Sequence, residues 1–156
     1  MAEISLRVGA EDFDPGAEIA ALHQGNSETG AVASFIGLVR GDKDQVRAMT
    51  LEHYPGMTEK QIGLLAEQAA SRWRLDRISV IHRVGKLLPG DRIVFVGTAS
   101  RHRGDAFKAC EFLIDWLKTS APFWKLEQGD SGDRWVEARE TDEERAERWR
   151  QDGENP

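Results

Sequence analysis

The order of periodic segments in this chain predicts an α+β domain with mixed sheet pairing. Three observations point there. Apolar or alternating runs and amphipathic stretches follow one another as β-α-β-β-α-β-β-α-β-β, neither strictly alternating nor segregated. The turn Gly41-Asp42-Lys43-Asp44 between two of the runs is short, which predicts an antiparallel return. No internal repeat, low-complexity tract or domain boundary interrupts the 156 residues, a length that suits one domain with a sizeable core.

Each element has its own signal. Ile4-Ser5-Leu6-Arg7-Val8 alternates at period two and predicts an edge or outer strand. Asp14-Pro15 has the form of an N-cap with proline at the first helical position, opening a short helix to about His23. Residues Gly30 to Arg40 predict a strand, with Gly37 marking a bulge or a close backbone approach. Val46 to His53 predicts the returning strand, and Tyr54-Pro55-Gly56 a turn. Thr58 with Gln61 has the capping-box pattern, and Ile62, Leu65, Ala66, Ala69 and Trp73 make one helical face. Arg77 to Arg83 predicts a strand, and Gly85 to Asp91 a loop with a Pro-Gly turn. The single histidines His53 and His82 at strand ends suit structural hydrogen bonding. Ile93-Val94-Phe95-Val96 predicts a buried strand feeding the turn Ser100 to Arg103. In the helix that follows, Ala106, Ala109, Cys110, Leu113 and Leu117 share one face. Gln128 to Asp133 predicts a turn and Arg134 to Arg139 a last strand. Residues 1–140 thus form one expected domain. Residues 141–156 form a charged tail, expected either as a frayed helix on Ala146 and Trp149 or as disordered chain.

Composition bounds the function. With 40% hydrophobic and 31% charged residues the chain resembles an ordinary globular protein, and its apolar runs are far too short for a membrane span. The N-terminus is acidic and lacks the apolar core of a secretory signal. One cysteine makes no intramolecular disulfide, which suits a reducing cytoplasm. The formal charge of −6 argues against general nucleic-acid binding. Between Glu137 and Glu154 eight acids face four arginines, so most of that charge sits in the tail. A local basic pocket for a small anion remains possible. No GxGxxG, P-loop, HExxH, zinc-spaced Cys/His set or GxSxG elbow is present, so neither a metal nor a cofactor is expected.

The stretch Arg101 to Lys125 carries the chemistry. It runs strand, basic turn, helix, lysine, aromatic pair, lysine. Backbone N–H groups at a helix start attract phosphate, and His102 with Arg103 would complete such a cradle, the arginine by a bidentate fork. Lys118 falls at the last turn and Lys125 seven residues later, past Phe123-Trp124. A lysine beside such aromatics is partly desolvated, which disfavours its charge and fits it for acid, base or nucleophilic work. On pattern alone these cations, and Arg40 at its strand end, equally suit solvated positions.

With these residues in view, the chain closely resembles the large, catalytic subunit of molybdopterin synthase. The likeness runs from about Gly30 to Glu140 and is densest at LEHYPGMTEK (51–60), IHRVG (81–85), Ser100 to Phe107, Leu117 to Lys125 and GDRWVEARE (132–140). The resemblance implies an α/β-hammerhead fold with an additional antiparallel sheet. It implies a sulfurtransferase of molybdenum cofactor biosynthesis that turns cyclic pyranopterin monophosphate into molybdopterin by installing a dithiolene. The sulfur would come from a thiocarboxylate on the C-terminal Gly-Gly of a small ubiquitin-like partner. Two large subunits would form a central homodimer, with one small subunit at each end of the heterotetramer.

The family's pocket maps onto Leu38, Val39 and Arg40, the pair His102 and Arg103, the key Lys118, and Lys125 with Leu126 and Glu127. Arg139 resembles an arginine that reaches into the neighbouring subunit's pocket. Positions equivalent to Leu38 and Leu126 also hold polar residues in the family, so backbone contacts are what is expected there. The first thirty residues and the tail past Glu140 match poorly and inherit nothing. Arg40, His102, Arg103 and Arg139 would fix the phosphate as the cyclic ester opens. Lys118 and Lys125 are the expected catalytic residues: Lys118 at the reacting centre, and Lys125 orienting substrate and lowering the neighbouring lysine's pKa by like-charge proximity. Cys110, on the apolar helix face, is expected to be inert despite the sulfur chemistry. The competing expectations are a non-catalytic binding module for a phosphorylated metabolite, a scaffold for a ubiquitin-like tail, and a Schiff-base lyase on Lys118.

Overall fold

The structure, a computed structural model, describes residues 1–41, 48–119, 123–129, 132–136 and 140–151. In chain order its elements are β1 (Glu3–Gly9), α1 (Pro15–His23), β2 (Ala31–Leu38), β3 (Ala48–His53), α2 (Met57–Arg72) and β4 (Arg77–Arg83). Then come β5 (Gly85–Leu87), β6 (Arg92–Ser100), α3 (Arg103–Leu117), β7 (Phe123–Gly129), β8 (Gly132–Val136) and α4 (Glu140–Gln151).

Two four-stranded sheets organise them. The first has the order β1-β4-β6-β2, with β1 parallel to β4 and the other pairs antiparallel. The second has the order β5-β3-β7-β8 and is antiparallel throughout. The α+β class with mixed pairing and an additional antiparallel sheet is therefore what the chain adopts. No helix among the described residues is long and apolar enough to cross a membrane.

Strand β6 shows why an unbroken apolar run predicted a buried strand. Val94 and Val96 join the main core with α2 and α3, while Phe95 and Ala99 face a smaller core with Phe13 and Leu22 on the α1 side. Successive side chains on a strand point to opposite faces, so covering both faces demands apolar residues throughout. Gly97 makes room for α1, because a Cβ there would collide with Leu22. In the main core Phe112 and Leu113 of α3 are fully buried. Truncating such a phenylalanine to alanine costs about 3–5 kcal/mol.

Local signals held at several points. Asp14 caps α1 by accepting from the Gly16 N–H at 3.0 Å, and Pro15 takes the first helical position. The β2–β6 register shifts between Gly37 and Leu38, and a Cβ on Gly37 would press on Val94. His82 Nδ1 lies 2.9 Å from the Arg83 carbonyl, and its ring stacks on Phe123 with centroids 3.8 Å apart.

Other expectations need correction. β3 does not return along β2. Past Leu38 the chain is taken by the 88–91 turn, where Val39 N–H donates to Asp91 O (2.9 Å) and Val39 O accepts from Gly90 N–H (2.8 Å). β3 then pairs with β5 and β7 in the other sheet. The turn itself matches its Pro-Gly signal: Gly90 has φ +92°, a left-handed position suited to glycine. Residues 85–87, read as loop, form β5 because they find Met49 to Leu51 as partners. Helix α2 begins before Thr58: its N-cap is Gly56, whose N–H donates to Glu59, and Thr58 is wholly buried. The C-terminal segment carries a packed helix rather than a frayed one, with Ala146 and Trp149 in the core. The hydrophobic pair at helical spacing was legible; its partners on α3 were not.

Candidate active site

The two ends of α3 carry the residues singled out from the sequence. Entering α3, Ser100 is buried, and its hydroxyl donates to Arg74 O at 2.6 Å. Its oxygen also accepts from the His102 N–H at 3.5 Å, which shapes the turn. His102 is the N-cap in extended conformation, with no capping bond from its imidazole. His102 and Arg103 are both exposed. Gly30 backs this turn: its N–H donates to Ser100 O at 3.0 Å, and a Cβ would strike the Arg101 carbonyl. The helix start thus presents N–H groups, an imidazole and a guanidinium outward, an arrangement that favours an anion.

Helix α3 then runs back along β6. Thr98 Oγ1 donates to Ala106 O (2.7 Å) and Cys110 Sγ lies 3.8 Å from Val96 O, so the helix ascends as the strand descends. Its far end therefore lies toward Arg92, where β2 also finishes. Here Lys118 is the C-cap, still right-handed at φ −70° and ψ −22°, and exposed. At the same end Val39 is buried at 5% exposure while Leu38 is exposed at 56% and Arg40 also faces solvent. Strand β7 brings Lys125 opposite Leu51, Leu126 opposite Thr50 and Glu127 opposite Met49. Only the backbone of Lys125, Leu126 and Glu127 lies within the described residues, and Arg139 lies outside them altogether.

This geometry divides the predicted set. Leu38, Val39, Arg40 and Lys118 gather at the C-terminal end of α3, while His102 and Arg103 stand at its start. Fifteen helical residues separate the two groups, about 22 Å at 1.5 Å per residue. One chain does not bring the basic turn and Lys118 into one pocket. Lys118 is exposed, so burial among the described residues does not supply the desolvation expected there.

Cys110 fits its expected inertness. It is buried, and burial pushes its thiol up to about 12, so almost no thiolate exists near neutral pH. Sequence reasoning missed Asp115. Its carboxylate is buried in the last turn of α3, and Trp149 Nε1 (2.8 Å) and Arg148 Nη2 (3.0 Å) of α4 donate to it. Burial raises its pKa, and those two donors act against the rise. An acid within the otherwise apolar run Phe112 to Leu117 was the available signal. Among the described residues no three His, Cys, Asp or Glu side chains are grouped to hold a metal ion.

Fold and site define a class: an α+β protein with an additional antiparallel sheet and exposed basic residues at both ends of one central helix. The comparisons with known proteins narrow it. The chain belongs to the MoaE family, whose profile, described as MoaE protein, matches residues 8–120. It is 58% identical over 147 residues to the molybdopterin synthase catalytic subunit of Ralstonia nicotianae, covering 93% of this chain and 84% of that protein. With the molybdopterin synthase catalytic subunit of Escherichia coli it shares 53% identity over 151 residues, 96% of this chain and all of that one. A solved molybdopterin biosynthesis MoaE protein from Burkholderia ambifaria superposes with a TM-score of 0.81 at 52% identity, covering 96% of this chain and 98% of the other.

Proposed function

We propose that this chain is the catalytic subunit of a molybdopterin synthase in the cytoplasm. It transfers sulfur from the C-terminal thiocarboxylate of a small ubiquitin-like subunit to cyclic pyranopterin monophosphate. The carrying observation is Lys118, exposed at the end of α3 beside the β2 terminus and followed directly by the strand of Lys125, in a chain more than half identical to catalytic subunits.

The residues divide the work by charge and position. The thiocarboxylate sulfur forms a carbon–sulfur bond to the pterin side chain. The acyl–sulfur bond then breaks, leaving the carrier tail as a carboxylate once water has supplied its oxygen. Lys118 serves as the proton relay for the attack and as the amine that can hold the acyl tail in passing. Opening of the cyclic phosphodiester to a monoester adds negative charge, which Arg40, His102, Arg103 and Arg139 offset. Lys125 orients the pterin, and Leu38, Val39, Leu126 and Glu127 line the pocket.

The 22 Å separation along α3 gives this reading its quaternary form. In a twofold dimer each pocket takes Lys118 from one protomer and the His102–Arg103 turn from its partner. Each contact occurs twice, because a twofold interface is self-complementary. The test is reconstitution: the purified chain, a thiocarboxylated small subunit and the cyclic pterin should yield dithiolene product. Binding of pterin without any product would leave only a binding module.

A further inference from the structure

We infer that Asp115, gripped from α4 by Trp149 and Arg148, is a positioning residue for Lys118; the inference rests on the reading of Lys118 just given. Among the described residues the end of α3 shows none of the usual means of fixing a helix terminus. Lys118 keeps right-handed backbone geometry, no left-handed glycine follows it, and the last turn holds no basic residue. Its N–H donates to Ile114 O at 3.2 Å, so the lysine hangs on the turn 114–117. Thr119 Oγ1 lies 3.4 Å from both Asp115 O and Trp116 O, a further tie to that turn.

What holds the turn itself is tertiary. Asp115 Oδ2 accepts from Trp149 Nε1 at 2.8 Å and from Arg148 Nη2 at 3.0 Å, with only 6% of its side chain exposed. Arg148 also donates to Glu111 at 2.8 Å, one turn earlier on α3. The Trp149 indole packs edge-on against Phe112 and Trp73, and the Trp149 backbone carbonyl accepts from Arg72 Nη2 at 3.1 Å. The grip therefore fixes the last turn of α3 both in rotation and along its axis. Residues three apart on a helix are surface neighbours, so a fixed Asp115 sets where the Lys118 stem starts. Because α4 follows β8, and β8 pairs with the Lys125 strand, the same grip ties both lysine-bearing elements together.

The experiment uses the full chain with a thiocarboxylated small subunit and the cyclic pterin. Trp149→Phe keeps an aromatic ring but removes the donor; Asp115→Asn keeps an acceptor for the indole; Asp115→Ala removes it. Trp149→Phe and Asp115→Ala should lower the rate at saturating pterin about tenfold while the half-saturating concentration stays within about twofold, as misplacement of a reacting group does. Asp115→Asn should restore most of the rate. Amide exchange should accelerate at Lys118 and Thr119 but not in β6. Wild-type rates in Trp149→Phe, or exchange that rises equally throughout the protein, would overturn the inference. Should the wild-type chain make no product, the functional reading fails instead, and the exchange pattern alone decides whether Asp115 sets the end of α3.

Discussion

Arg103 and Lys118 occupy the first helical position and the C-cap of the same helix, α3. They stand about 22 Å apart along an axis that rises 1.5 Å per residue. A small phosphorylated pterin cannot touch both within one chain. On the proposed function the consequence is a pair of shared pockets, which subunit mixing can test.

Lys118→Ala and Arg103→Ala chains should each form inactive dimers. A mixed dimer, purified with two different tags, contains one pocket with both lesions and one with neither. It should recover about half of wild-type activity, since the twofold makes the pockets equivalent. If both groups served one chain's pocket, the mixed dimer would stay as inactive as its parents.

Lys118→Ala by itself should separate chemistry from folding. The side chain is exposed, so thermal stability should stay within about 0.5 kcal/mol of wild type. Product formation with thiocarboxylated partner should fall at least about a hundredfold, the lower range for loss of a positioned acid–base group. Turnover at the wild-type rate would remove Lys118 from the reacting centre.

Much of this was legible before any coordinates, and the exceptions share a cause. Asp14-Pro15, the apolar face of α3 and the Gly37 irregularity are local, governed by residues within a turn or a neighbouring strand. The partner of β3, the pairing of β5 and the docking of α4 depend on residues far away in the chain. Asp115 illustrates the limit: nothing within its own helix announces that Trp149, 34 positions later, will donate to it. The site followed the same rule. His102 and Arg103 were found at a helix start and Lys118 at its end. That the helix holds them apart follows from its length; the second chain of the proposed function follows only from the size of the ligand.

Gly30→Ala tests how tightly the basic turn is held. Gly30 donates to Ser100 O, and an added Cβ would meet the Arg101 carbonyl, a backbone atom with little freedom to yield. The strain should cost about 1–3 kcal/mol, as overpacking does. The displaced turn should also weaken phosphate contact, so pterin affinity should fall more than the rate at saturation. A variant with unchanged melting temperature and unchanged pterin affinity would show that the turn accommodates the methyl group.

Cys110 gives a prediction whose sign follows from its buried thiol. In the folded protein the thiol loses its proton only near 12, against 9.0 for an ordinary cysteine. Between those values the unfolded chain releases a proton that the folded chain keeps, so rising pH favours unfolding. The stability linked to this thiol is fully present below pH 9.0 and is lost progressively above it, with a slope approaching about 1.4 kcal/mol per pH unit. Cys110→Ala should lose a little stability at neutral pH through the smaller side chain, yet decline less steeply than wild type between pH 9.0 and 11. The same variant should form product at the wild-type rate, because a protonated, buried thiol carries no sulfur to the pterin. Equal alkaline slopes in the two proteins would show that the thiol is not held protonated, and a persulfide on Cys110 during turnover would give it a role in the transfer.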